Sequence, residues 1–231
     1  MENWRTEWIK QKIATALKLN AGECGGSYSE ASIILCATLS ALSTEVWPGK
    51  QIDRFRFVEL LIKFLPDTYL TANISIPLLV GHLRNNGRIS ESELIKSCYL
   101  GNDFSRVFVG NDVDVNELEV LSTCNTLNLK EIREHSYANI LYVELRSSYV
   151  HEYSPGDRAN SNPMTGRKDV AISYINWANE ADRRIYFHIE WLSELARIIA
   201  NKLDSESVSN IKKPDNWWVS GKITINTEQQ L

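Results

Sequence analysis

The chain has 231 residues, 43% of them hydrophobic and including seven Trp, which supplies one sizeable core and argues against disorder as the main state. A net charge of −4 excludes a protein that coats nucleic acid through a general basic surface, so any such contact has to be local. The longest apolar stretch, 74–80, is far below the ~20 residues of a membrane span, and Met1 to Lys12 mixes Trp4, Trp8 and Ile9 with charges as no secretory signal does, so a cytoplasmic protein without a membrane partner is expected.

Taken in order, the apolar spacing and polar caps predict helices over 3–19, 28–46, 53–65, 74–86, 91–100, 115–127, 129–152 and 188–203. Ser27 with Glu30, Ser90 with Glu93, Asp114 with Glu117 and Asn128 with Glu131 each set a short polar cap three residues before a carboxylate, the pattern that satisfies free N–H groups at a helix start. Asp53 caps the third helix, whose stripe of Phe57, Leu60, Leu61 and Phe64 ends at Pro66. Residues 154–169 have the composition of a long irregular loop or mobile flap. Segments 170–177 and 183–187 then read as a small hairpin. Ile185, Ile189, Leu192, Ala196, Ile199 and Leu203 recur at spacings of three and four, one continuous face that needs a bundle to cover it. Trp217 to Val219 and 223–225 suggest a short strand or docked tail. Cys24, Cys36, Cys98 and Cys124 have no CxxC spacing and read as free thiols, the last three buried in helices. The expected architecture is therefore mainly α, a helical bundle with a small β-hairpin near 170–187. It is one domain over 1–231, carrying a loop-and-hairpin insertion at 154–187 and a tail at 204–231.

No Gly-rich phosphate loop, HExxH, GxSxG or paired-carboxylate motif occurs, and no metal or cofactor is implied. Chemistry concentrates instead on the helix over 129–152. At about 100° per residue, His135, Asn139, Tyr142 and Arg146 fall in one sector, and Glu144, Ser147 and His151 in another. Arg146 and His151 then point about 140° apart, so two copies of the segment, or a frayed helix end, would be needed to bring them together.

The stretch Glu144-Leu-Arg146-Ser-Ser-Tyr-Val-His151-Glu-Tyr153 resembles the Arg-x4-His signature of the HEPN superfamily, and with Tyr153 it is similar to the Arg-x4-His-x-Tyr form of HEPN toxins paired with nucleotidyltransferase antitoxins. Ser147 stands where many relatives carry Asn or another polar residue. The resemblance implies a HEPN-like bundle acting as a homodimer and a metal-independent endoribonuclease on RNA. It makes Arg146 and His151 catalytic, with Tyr153 as the residue an antitoxin would modify. The chemistry suits the residues: an imidazole with a pKa near ~6.5 exchanges protons at neutral pH, and a guanidinium fork holds a phosphate. Glu144, Ser147, His135 and Asn139 are supporting candidates, and Arg158, Arg167, Lys168, Arg183 and Arg184 are candidates for RNA phosphate contacts.

Two other readings stay open. Arg146 and His151 would also serve as caps for the last carbonyls of a buried helix. The same fold would also suit a catalytically silent dimer that binds or scaffolds, or that takes a nucleotide in its cleft. His82 and His188 read as structural or surface residues.

Overall fold

The computed structural model describes residues 3–101, 107–162, 170–176, 183–206 and 208–222, and the chain is mainly α-helical. Three long helices come first, α1 (Trp4–Asn20), α2 (Tyr28–Val46) and α3 (Asp53–Phe64), followed by the pair α4 (Ile76–Asn85) and α5 (Ile89–Tyr99). A strand, β1 (Val107–Val109), leads into the short helices α6 (Gly110–Val113), α7 (Glu117–Thr123) and α8 (Leu129–Arg133). A rod of three segments follows: α9 (Tyr137–Ile140), a π-helical stretch (Leu141–Ser147) and α10 (Ser148–Glu152). The strands β2 (Ile172–Asn176) and β3 (Arg183–Phe187) precede the last long helix, α11 (Ile189–Ser205).

The apolar stripe of α11 explains the larger core. Ile189, Leu192, Ala196, Ile199 and Leu203 are fully buried, and the helix packs on α1, α2 and α3; each Ile or Leu among them contributes about 1.5–3 kcal/mol by leaving water. Ile185, which the spacing adds to this stripe, belongs to β3 instead. A smaller, second core joins α4, α5, α7 and α8 through Ile76, Leu79, Leu83, Ile95, Val120 and Ile132.

The caps are as expected at two of the four starts. Ser27 and Glu30 form a reciprocal capping box on α2, and Asn128 accepts the Glu131 N–H on α8. Elsewhere the structure differs. Ser90 lies inside α5, which starts after Arg88 without a side-chain cap, and Asp53 is the first residue of α3, paired with Arg56. Asn116, not Asp114, caps α7 by accepting the Leu118 and Glu119 N–H groups.

Asp114 is drawn away to a buried joint between the two cores. Its carboxylate accepts the Ile76 N–H at the start of α4 at 2.8 Å and the hydroxyls of Tyr137 and Tyr174; the Tyr174 oxygen also lies 2.9 Å from Ser75 Oγ. One acid thus ties α4, the rod and the sheet together.

The sheet is antiparallel in the order β1-β2-β3, with Phe108 opposite Tyr174 and Tyr174 opposite Ile185. The hairpin is the expected one, with 177–182 outside the described residues. β1 is an addition, since a three-residue strand cannot display a period-two pattern. The run after the rod is irregular as expected, but 154–162 is docked: Asn160 N–H donates to Ile185 O and Ile185 N–H to Arg158 O, both at 2.8 Å, along the free edge of β3. Residues 163–169 lie outside the described residues.

The continuous helix expected over 129–152 is broken at 134–136. There the backbone turns its hydrogen bonds to an extended strip: Ser75 N–H donates to His135 O at 2.9 Å and Tyr137 N–H to Asn73 O at 3.0 Å. Ser136 then caps the rod through Asn139 N–H. Cys36 and Cys124 are buried, but Cys98, expected inside, is exposed like Cys24, because it lies on the outer face of α5.

The C-terminal segment is a docked tail rather than a strand. Trp218 N–H donates to Glu59 Oε2 at 2.8 Å, Arg133 donates to Trp218 O at 2.8 Å, and the Arg133 guanidinium stacks on the Trp218 ring. Gly221 follows at φ +73°, where a Cβ would stand 2.5 Å from Lys130 N; only glycine allows both the turn and the approach. Residues 223–225 lie outside the described residues.

Candidate active site

The motif occupies the second half of the rod, antiparallel to α2. Arg146 is half-buried in the π-helical stretch. Its Nε donates to Ser40 Oγ of α2 at 3.2 Å, and its guanidinium lies 5.2 Å over the Tyr142 ring, one turn earlier. Among the described residues no carboxylate comes within ion-pair distance of it. A cation held by a hydroxyl and an aromatic face keeps its charge available to an incoming anion.

His151 is exposed on α10, beside the exposed Val150, and makes no hydrogen bond among the described residues. Tyr153 ends the helix in the left-handed conformation at φ 55°. Its ring is 62% exposed, and its hydroxyl donates to Glu30 in the α2 capping box. The Ser27 hydroxyl and then the Tyr153 hydroxyl hold the Glu30 carboxyl down at about 2. The junction of motif and α2 therefore stays charged at any ordinary pH.

The supporting candidates separate. Asn139 does share the Tyr142 and Arg146 side of the rod: buried, it accepts from Arg54 Nε at 2.8 Å and donates to Glu134 O at 2.7 Å. His135 does not, because the break at 134–136 turns it toward the second core. There its Nδ1–H donates to Glu131 O at 2.8 Å, its ring lies 4.7 Å from that of His82, and burial pushes its pKa down to about 4. Glu144 is buried and pairs with Arg158 at 2.7 Å, so it does not serve as the orienting carboxylate that its spacing from His151 suggests. Ser147 is half-buried.

Of the basic candidates, Arg158 is neutralised by that pair, and Arg167 and Lys168 lie outside the described residues. Arg183 lies with its guanidinium carbon 3.5 Å over the Phe108 ring, and Arg184 stands opposite Ile175 in the sheet.

No family model matches the chain, and no curated protein or solved structure does either. The HEPN likeness therefore rests on the eight residues from Arg146 to Tyr153 and on the helical surroundings.

Sequence reasoning missed Ser40, which α2 brings to Arg146, and Arg54, which α3 brings to Asn139. Ser40 and Arg54 sit among ordinary helix-surface residues, and only the packing of α2 and α3 against the rod places them. Gly156 is a further one. Its N–H donates to the Glu144 carbonyl at 2.8 Å, and a Cβ there would stand 2.2 Å from Glu144 Oε2. Gly156→Ala is expected to push the carboxylate off Arg158 and lower stability by about 1–3 kcal/mol. Urea unfolding measures this, and a midpoint within error of wild type would show that the pair does not tie 156–160 to the rod.

Proposed function

We propose that the chain is a metal-independent endoribonuclease of the HEPN type, acting as a homodimer in which two copies of the motif share one cleft. The observation that carries this reading is Arg146: half-buried, fixed by Ser40 and Tyr142, and without a carboxylate among the described residues. Its fork would hold the scissile phosphate. His151 would take the proton of the RNA 2′-hydroxyl as that oxygen attacks phosphorus, and the imidazole of the second copy would return a proton to the leaving 5′-oxygen. The bond from phosphorus to the 5′-oxygen breaks, leaving a 2′,3′-cyclic phosphate and a 5′-hydroxyl. Exposed Tyr153, beside His151, is the position at which a nucleotidyltransferase antitoxin would switch the site off, since an added phosphate brings charge and bulk to the RNA path at the imidazole.

One observation favours a second reading, a silent dimeric binding module: no residue among those described orients His151, because Glu144 is committed to Arg158. Incubation of the purified protein with total RNA in EDTA separates the two. The ribonuclease is expected to give fragments ending in 2′,3′-cyclic phosphate, whereas intact RNA supports the module. Sedimentation at tens of micromolar is expected to show a dimer, and a strict monomer counts against both.

A further inference from the structure

The side of the rod that carries Arg146 faces a second arginine. Arg54, one residue into α3, spends its Nε on a neutral partner, the Asn139 amide, at 2.8 Å. Its only ion pair among the described residues is with Glu134, a long contact of 3.4 Å between groups about one-third exposed, and such pairs contribute little. Asn139 is itself buried and bracketed by its bond to Glu134 O, so it fixes the direction of Arg54 without cancelling its charge. Asn139, Tyr142 and Arg146 follow at spacings of three and four along one face, and α3 packs on that face at Tyr142, whose ring meets Phe57 edge-on at 5.4 Å. Arg56, on the same helix, is neutralised by Asp53 and occupied by the carbonyls of Trp47 and Gly49. Two oriented arginines thus flank one half-buried phenol on α3 and the rod.

We infer that Arg54, positioned by Asn139, is a second phosphate-binding arginine that grips the phosphodiester next to the one held at Arg146, so that a single-stranded RNA runs across Tyr142. The inference rests on the ribonuclease reading for its choice of RNA, but it concerns binding alone. Two phosphates held on one face fix the strand's register, which leaves the 2′-hydroxyl between them in a defined place. Tyr142 supplies an aromatic edge over which the sugar or base passes.

The test uses a short fluorescent single-stranded RNA with all 2′-oxygens methylated, which cannot be cleaved by this route, titrated by anisotropy at several salt concentrations. Arg54→Gln is expected to weaken binding about tenfold or more, because a charge-assisted contact is lost, and to reduce the salt slope by about one phosphate. Arg54→Lys keeps the charge and is expected to retain the slope while losing part of the affinity; it also serves if Arg54→Gln does not fold. Arg84→Gln, on α4 away from the rod's motif, is expected to bind like wild type. Wild-type affinity and slope in both Arg54 variants, or no binding by wild type at 0.1 mM (on the order of a non-specific Kd), overturns the inference. The two ideas fail separately. Cleavage by wild type with Arg54→Gln binding unchanged sinks this subsite alone. Binding that depends on Arg54, in a protein that leaves natural RNA intact, retains the subsite and removes the catalysis.

Discussion

In His151→Ala and Arg146→Ala proteins, RNA cleavage is expected to fall by ~10²–10⁴-fold, the usual contribution of an acid–base imidazole or of the group that holds the charge. The fold is expected to survive both changes. His151 is exposed and makes no hydrogen bond among the described residues, so its removal strands nothing. Arg146 gives up one bond to Ser40 and a ring contact, at a cost of about 1 kcal/mol. If the two residues were instead caps of the rod, stability would fall in both variants and nothing else would change. The geometry already weighs on that alternative for His151, since the rod closes through Tyr153 N–H donating to Tyr149 O at 3.2 Å. Thermal midpoint and cleavage rate measured on the same preparations decide, with His82→Ala on α4 as control. Undiminished cleavage by folded His151→Ala ends the ribonuclease reading.

The largest stability effect is expected at Asp114. Asp114→Ala strands the Tyr137 hydroxyl and the Ile76 N–H, each costing about 1–3 kcal/mol when left buried without a partner, and leaves the Tyr174 hydroxyl with Ser75 alone. A total of about 3–5 kcal/mol is a large share of the ~5–15 kcal/mol by which domains are stable. Denaturant unfolding measures it, and a loss below ~1 kcal/mol would mean that the joint relaxes onto water. A pH dependence follows from the same carboxyl. Burial pushes it up to about 7, against the three donors that pull it down. Because the folded value lies above the ordinary ~4, the stabilisation is complete below that ordinary value and is lost as pH rises through 7. The difference in thermal midpoint between wild type and Asp114→Asn, followed from pH 5 to 8.5, isolates the group from other titrations. Wild type is expected to lose ground above neutrality, and parallel profiles would rule the linkage out.

How far the sequence could be read depended on whether a feature was local. The stripe of α11 and the box of Ser27 and Glu30 carry their own explanation within a few residues, and both are found where the spacing put them, save that Ile185 falls in β3. The joint at Asp114 was not legible, because the donors that claim it come from residues 76, 137 and 174. The same holds for the break before Tyr137, where an extended strip at 73–75 competes for the backbone and no Gly or Pro marks the place. At the candidate site the motif itself could be read, and so could the common side of Asn139, Tyr142 and Arg146. The commitment of Glu144 to Arg158 and the approach of Ser40 and Arg54 could not, since each depends on a neighbour distant in the chain.

The π-helical stretch has a consequence for how this segment can change. Seven residues there are wound one residue looser per turn than an α-helix, so the rod holds a spare position between Tyr137 and Ser148. Deleting a single residue within it would tighten the coil to ordinary winding with its internal hydrogen-bond ladder intact. Because the looser winding already takes up that residue, Val150, His151 and Tyr153 beyond the deletion would keep close to their places on α2, as would the joint at Tyr137. A change of one residue in the length of this segment is therefore one the rod can absorb between two fixed ends.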